Sequence, residues 1–349
     1  MTAETREFLA RRERIALRAA HERHSAGARA ANATDVDLGN YAAVMFDSSL
    51  WVSAVPVLPD AARPSALGAA LAYVTRSSAD GASRVVVVDA HDEARAGITA
   101  RRAAYFNLPI DVLGGLDAHG AHDGHGTRSA HSMVAPATHA AVIAPRSEHL
   151  ECAMAFATPG IDIVVEHGVV TLEVVGLEVA RVVDEDGRST LSIGVGAHDR
   201  ETFRMLHGNT ATREQLRDVA STVARHRRVG APSHPLNLLA PERAMRSRAI
   251  AEPQSIGMRS LAVAEPPVAR TNVKDSVPCC AIGRDLNDAD VVAVFVAGVD
   301  LDSVPFAADA RDRHSRSAQL LIVAPSRNIV PLQERIAGTL REPAYFVSA

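Results

Sequence analysis

Two aspartates one residue apart, Asp300 and Asp302, close an apolar run and open a helical pattern in FVAGVDLDSVPFAADAR. Carboxylates at that spacing can hold a cation or orient a polar ligand, provided the chain brings a second polar segment alongside. The next apolar run supplies one, since LLIVA ends at Pro325-Ser326-Arg327-Asn328. If both runs are parallel strands of one sheet, their carboxyl ends share an edge where loops converge and helix N-termini point their free amides. The expectation is a ligand or metal site built from Asp300, Asp302, Ser326, Arg327 and Asn328. The same segment also suits a plainer role, because Asp302 or Ser303 ahead of Pro305 can cap a helix while the other polar groups stay in water.

Three further constellations carry chemistry. VARHRRVGAPSHPLNLLAPERAMRSR concentrates Arg225, Arg227, Arg228, Arg243, Arg246 and Arg248. Guanidinium matches phosphate bidentately, which makes this run the expected place for nucleic acid or another polyanion. It holds no Phe, Tyr or Trp to stack on bases, and arginines at a helix C-end also complement the helix dipole. In DAHGAHDGHGTRSAH, His119, His122 and His125 offer neutral imidazoles to a zinc or nickel ion, although a Gly/Ala-rich loop must lose entropy to close around it.

The third is GIDIVVEHGVVTLEVV, whose Asp162 and Glu173 fall on what read as adjacent antiparallel strands. Two such carboxylates can hold Mg2+ and position a water against a phosphodiester. An Asp followed on the next strand by Glu-x-Lys is the metal-binding core of the PD-(D/E)xK nucleases, which this stretch resembles, with Val175 where the lysine would stand. The resemblance implies catalytic roles for Asp162 and Glu173 and a magnesium cofactor. The simpler expectation places Glu166, Glu173 and Glu178 on the outward face of a half-exposed sheet. The chain has no G-x-x-x-x-G-K-[ST], G-x-G-x-x-G after a strand, H-E-x-x-H or G-x-S-x-G, which removes the common nucleotide-dependent and serine-hydrolase readings.

With 349 residues, 47% of them hydrophobic, the chain can fill more than one core. A formal net charge of -4 and a pI near 6.4 give no whole-chain field that would draw in nucleic acid or an anionic membrane. No apolar stretch approaches the roughly 20 residues of a bilayer span, and the N-terminus is charged from the start, without an apolar leader. Cys152, Cys279 and Cys280 lack C-x-x-C spacing, so neither a disulfide framework nor a thiolate zinc site is expected and the compartment reads as the reducing cytosol.

The elements that must position these residues follow from periodicity. Residues 1–30 carry a helix with a thin apolar face at Phe8, Leu9, Ile15 and Leu17. Over 31–116, a hairpin around Asp47-Ser48-Ser49 precedes a helix after Ser65, then RVVVVDA, a charged helix and LPIDVLGG, the pattern of a βαβ unit. Residues 117–145 read as a His/Gly/Ala-rich loop. Residues 146–229 read as a meander turning at His167-Gly168, Gly176 and Glu185-Asp186-Gly187, flanked by helices, with Thr212 and Gln215 in capping-box positions. Residues 230–278 are rich in proline and read as a surface connector containing the helix PERAMRSRAIA, and 279–349 read as strand, helix, strand, helix with parallel strands. The expected fold class is mixed α/β: an N-terminal α/β unit, a central antiparallel β-meander and a C-terminal βαβα unit.

From Gly176 onward, GLEVARVVDEDG, GAHDRETFRMLHG, PSHPLNLLAPERAMRSR, EPPVARTNVKD and GVDLDSVPFAADAR resemble a family of uncharacterised proteins from GC-rich bacteria. Arginine so outnumbers lysine, represented by Lys274, that the composition suits such a genome. The resemblance carries over no activity and no site residue. The function expected is that of a cytosolic binding or regulatory protein recognising a polar, anionic ligand or nucleic acid, without membrane association. The alternatives are a metal-dependent phosphodiesterase, and a non-catalytic protein that uses its N-terminal helix to dock a partner or a second copy.

Overall fold

The computed structural model describes residues 3–25, 32–57, 65–76, 81–89, 92–114, 132–208, 211–269 and 277–349. In chain order the elements are α1 (Ala3–His24), β1 (Ala33–Asp37), β2 (Tyr41–Phe46), β3 (Ser49–Pro56), α2 (Ala66–Arg76), β4 (Arg84–Asp89), α3 (Glu93–Ala103), β5 (Ile110–Gly114) and β6 (Ser132–Met133). There follow α4 (Ser147–Phe156), β7 (Asp162–Glu166), β8 (Val169–Val174), β9 (Leu177–Glu185), β10 (Arg188–Ile193), α5 (Gly196–His207), α6 (Arg213–Arg227), α7 (Pro235–Leu238) and α8 (Pro241–Ala251). The last are β11 (Met258–Ala264), β12 (Cys279–Asp285), β13 (Asp290–Phe295), α9 (Ser303–His314), β14 (Gln319–Ala324), α10 (Pro331–Ala337) and β15 (Ala344–Ser348). The fold is mixed α/β, and the chain forms two units: Met1–His139 with Val299–Asp309 and Ile329–Tyr345, and Ala140–Gly298 with Ala310–Asn328 and Phe346–Ala349.

The first unit is built on a six-stranded sheet in the order β1-β2-β3-β4-β5-β6. Strands β1 to β3 form an antiparallel meander, β3, β4 and β5 run parallel, and β6 closes the far edge antiparallel to β5. The uninterrupted valines of β4 are explained by burial on both faces. Val85 and Val87 point with Leu50, Val52 and Val112 toward alanines of α2 and α3, while Val86 and Val88 join Phe46, Trp51 and Leu113 against Leu17 and Ala20 of α1.

Helix α1 buries only part of the face its large residues suggest: Leu17 is buried and Leu9 packs against Ala10, Ala42 and Val57. Ala10, Glu13, Leu17 and Ala20 face inward, whereas Phe8 and Ile15 are 66% and 60% exposed. On this stripe Glu13 is buried with a partner, since the buried Ser53 hydroxyl donates to its carboxylate at 2.8 Å.

Asp300 and Asp302 also belong to the first unit, and both are spent on helix starts. The Asp300 carboxylate accepts the Asp302 amide at 2.9 Å, and its carbonyl accepts the Ser303 hydroxyl at 2.6 Å and the Gln333 amide at 2.9 Å. The Asp302 carboxylate accepts both the amide and the hydroxyl of Ser65, whose oxygen in turn caps α2 by accepting the Gly68 amide at 3.2 Å. Burial pushes the Asp302 carboxyl up, against the lowering effect of those Ser65 hydrogen bonds. The acidic half of the expected ligand site is therefore corrected: these carboxylates tie α9 to α2 in the first unit, while Ser326, Arg327 and Asn328 group with the second.

The second unit contains two sheets. Strands β7 to β10 make an antiparallel meander in the order β10-β9-β8-β7. Each of its turns places two consecutive residues at positive φ, namely His167-Gly168, Val175-Gly176 and Asp186-Gly187, as the tight I′ hairpin requires. One face buries Val170, Leu172, Val174, Leu177 and Val179 against Ala153 of α4 and Leu216, Ala220 and Val223 of α6. Thr212 and Gln215 form the expected capping box at the start of α6. The other sheet has the order β11-β12-β13-β14-β15, with β13 and β14 parallel in register Val292↔Leu320 and β11 and β12 antiparallel to their neighbours. The proline-rich stretch contains the expected helix, α8, and in addition supplies strand β11, so it is more than a connector. Among the described residues, no helix is long and apolar enough to cross a membrane.

Candidate functional site

Helix α8 organises the second unit because its two faces have different partners. Glu242, Arg243, Ala244, Arg246 and Ala249 are buried. Arg243 donates to Glu166 and Glu173, and Arg246 donates to Glu166 at 2.6 Å and to the Cys280 carbonyl at 3.3 Å, with its other Nη 3.8 Å from Glu173. Burial pushes the Glu166 carboxyl up, but the Arg246 and Arg243 guanidinium groups overcome this and hold it below its ordinary value. Glu178, also buried, is bridged by Arg181 and Arg200 at 2.7 Å. The glutamates of the meander are therefore interior ion-pair partners, which corrects the half-exposed face expected for them.

The nuclease-like pair meets the same fact. Asp162 and Glu173 do sit opposite each other in register on β7 and β8. Asp162 is exposed, whereas Glu173 is 2% exposed with its charge matched by arginine. Val175, in the lysine's place, is a turn residue at φ 47. Among the described residues no group of three or more His, Cys, Asp or Glu is arranged to hold a metal ion. His119, His122 and His125 lie outside the described residues. Burial, against the pull of Arg246 and Arg243, pushes the Cys279 thiol up to about 12, so it stays protonated and unreactive at neutral pH.

Helix α8 approaches the meander so closely that Gly176 is obligatory. It sits at φ +73, and a Cβ there would lie 2.2 Å from the Arg243 carbonyl oxygen. Gly176→Ala is expected to lower stability by about 2–3 kcal/mol, from left-handed strain plus displacement of α8. Urea titration checks this, and a loss below about 0.5 kcal/mol, the surface background, would contradict the packing.

A second stripe of α8, Pro241, Ala244, Met245 and Arg248, repeats at helical spacing and forms one wall of an open cleft of about 680 Å³, with Arg248 exposed, Pro241 and Met245 half-buried and Ala244 buried. A second wall is the end of α6 with the chain to α7, bearing His226, Arg228, Val229 and Leu238. Its third side is the carboxyl end of the parallel strands: Ala297 and Gly298 follow β13, and Pro325, Arg327 and Asn328 follow β14. This is the rim at which open α/β sheets collect ligands.

Among the described residues, no acidic side chain lines the cleft. Arg228, Arg248 and Arg327 make no ion pair among the described residues; one Nη of Arg248 donates to the Arg227 carbonyl at 3.0 Å. Comparison with protein-family models, with curated proteins and with solved structures finds no match for this chain.

Of the six arginines expected to meet a polyanion, Arg227, Arg243 and Arg246 are buried and correct that expectation. Arg227 is 2% exposed, and its guanidinium donates to the carbonyls of Val175 at 3.1 Å, Leu236 and Leu239 at 2.7 Å, and Ala240 at 3.2 Å. Burial and the nearby Arg248 push it down to about 10, so it still carries its charge at neutral pH. Arg225 is exposed and outside the cleft lining, which leaves Arg228 and Arg248 to join Arg327. The His226 ring, stacked on His234 at 3.7 Å, is held below its ordinary value by desolvation first and then by His234 and Arg225. It presents a neutral imidazole to the cleft at pH 7. The carboxamide oxygen of Asn237 is buried without a hydrogen-bond partner among the described residues, an acceptor left open in the wall. Among the described residues, the lining includes no nucleophile paired with a base. The three guanidinium groups in the cleft lining can hold an anion.

Proposed function

We propose that this protein is a binding or regulatory protein that takes up a small anionic ligand in the cleft of its second unit. The observation that carries this is the convergence of Arg228, Arg248 and Arg327 on a concave site with no acid among the described residues of its lining. Guanidinium groups without carboxylate partners retain their donors for an oxyanion, and bidentate pairing supplies both energy and orientation. The cleft volume lies within the range of roughly 300–1,000 Å³ usual for small-molecule sites.

Nucleic acid is the weaker reading. Burial of Arg227, Arg243 and Arg246 removes half of the cationic run, and the lining offers no aromatic side chain beyond the already stacked His226. A polynucleotide needs cations along an extended track, whereas these converge.

Isothermal titration with inorganic pyrophosphate tests the proposal. Binding is expected, with Arg228→Ala and Arg327→Ala each weakening it by about 10-fold, the effect of removing one charge-assisted contact of roughly 1.5 kcal/mol. Absence of binding at millimolar pyrophosphate, or affinity unchanged in the double variant, would refute the site. Preference for single-stranded DNA with a salt slope that includes Arg225 would favour nucleic acid instead.

A further inference from the structure

The cleft contains more than an anion requires. Val229 and Leu238 are 86% and 77% exposed, among the most exposed large hydrophobic side chains of the described residues, and both line the same concavity as the three arginines. Met245, Pro241 and Pro325 extend the apolar surface across the floor. Single exposed apolar residues are ordinary, but a contiguous set inside a concave site marks a binding surface. A fully hydrated inorganic anion makes no use of such a surface.

We infer that the ligand is amphiphilic: a phosphate monoester or similar anion carrying a short aliphatic body, with its head on Arg228, Arg248 and Arg327 and its body on Val229, Leu238 and Met245. This rests on the anion-binding reading above and adds the chemistry of the other end of the ligand. An aliphatic rather than an aromatic body is indicated because the one ring in the lining, His226, already has a face covered by His234. Met245 adds an unbranched, adaptable side chain that suits a flexible hydrocarbon. The open mouth admits the body without requiring the chain to close over it.

The test compares inorganic phosphate, ethyl phosphate and hexyl phosphate by isothermal titration on the full chain, with phosphatidic acid vesicles as a separate arm. Affinity is expected to rise from ethyl to hexyl phosphate by up to about fourfold per methylene, the full-burial value, and by at least about tenfold in total. Val229→Ser with Leu238→Ser, both at exposed positions that leave the core intact, should cut the ratio of hexyl phosphate to inorganic phosphate affinity by more than half, with Met245 retaining the remainder. Arg327→Ala should weaken all three ligands alike. If phosphate binds and hexyl phosphate binds no better, this inference fails and the anion site stands. If none of the ligands binds, the anion site itself fails. Binding confined to phosphatidic acid vesicles, with no uptake of monomeric hexyl phosphate, would overturn a soluble ligand.

Discussion

Arg246→Met is expected to destabilise the protein by about 3–5 kcal/mol at pH 7, because it leaves buried carboxylate without its counter-charge. Arg246 and Arg243 together neutralise Glu166 and Glu173, and all four side chains are nine-tenths or more buried. With one guanidinium left, one carboxylate must either remain charged in the interior or take up a proton. Between pH 7 and pH 5 the two proteins should then respond differently to acid. In the wild type Glu166 is held below its ordinary value. Its contribution is complete above the unfolded glutamate pKa of about 4.3 and is lost as pH falls through the lower folded value. In Arg246→Met the unpaired carboxylate is raised, so its folded form gains a proton more readily than the unfolded chain, and stability should increase as pH falls from 7 toward 5. Urea midpoints at pH 7 and pH 5 read this directly. Parallel pH dependence in the two proteins would show that the network does not hold the charges assigned to it. Adding Glu166→Gln to Arg246→Met should recover part of the loss at pH 7, since the orphaned charge is removed with its partner.

The elements of this fold were legible where local periodicity and long-range packing agree. The run RVVVVD needs two covered faces, which parallel neighbours and flanking helices provide, and β4 has them. The steps His167-Gly168 and Asp186-Gly187 marked hairpins because they admit positive φ, and both sit at the turns of the meander. Val175-Gly176 is less obvious, since a β-branched residue at φ 47 is strained, and the packing of α8 on that turn explains why it is tolerated. The proline-rich segment misled because its prolines dominate its composition. Its strand β11 is nevertheless visible in MRSLAVA, whose Met258, Leu261 and Ala264 are buried while Arg259, Ser260 and Ala262 are exposed, with a bulge between Met258 and Ser260.

The site was half legible. The rule that ligands gather at the carboxyl ends of parallel strands selected Ser326, Arg327 and Asn328, and the latter two line the cleft. The same rule selected Asp300 and Asp302, whose fate depends on Ser65 and Gln333, far away in sequence, and which no local pattern reveals. The arginine run shows the limit most clearly. Arg243, Arg246 and Arg248 lie within two turns of one helix, yet the first two meet glutamates of the meander and the third meets the cleft. Spacing alone could have separated them, because Pro241, Ala244, Met245 and Arg248 form one stripe and Glu242, Arg243, Arg246 and Ala249 another. Which stripe faces inward was not readable, since a stripe with two arginines looks solvated until its carboxylate partners are placed.

Arg225 and Arg227 sharpen that contrast into a second large effect. Two residues apart on α6, one is exposed and the other is 2% exposed with four backbone carbonyls around its guanidinium. Those carbonyls belong to the Val175 turn and to residues 236–240, so this one side chain fixes the end of α6, the chain before α8 and a meander hairpin at once. Charge-assisted hydrogen bonds each contribute about 1.5–3 kcal/mol, and shared bonds add less than their sum. Arg227→Met is accordingly expected to lower stability by about 3–4 kcal/mol by urea denaturation, since it leaves buried acceptors without donors. Arg227→Lys should recover less than half of that, because an ammonium is a point charge that cannot span four acceptors in a plane. Arg225→Ala should stay within about 0.5 kcal/mol of wild type, as surface changes do. Hydrogen exchange distinguishes the mechanism: Arg227→Lys should lose amide protection over residues 228–240, the wall that carries Arg228, Val229 and Leu238, while the exchange of β8 and β9 stays near that of the wild type. Uniform loss of protection throughout the second unit would instead mean that Arg227 supports the whole core rather than the wall of the cleft.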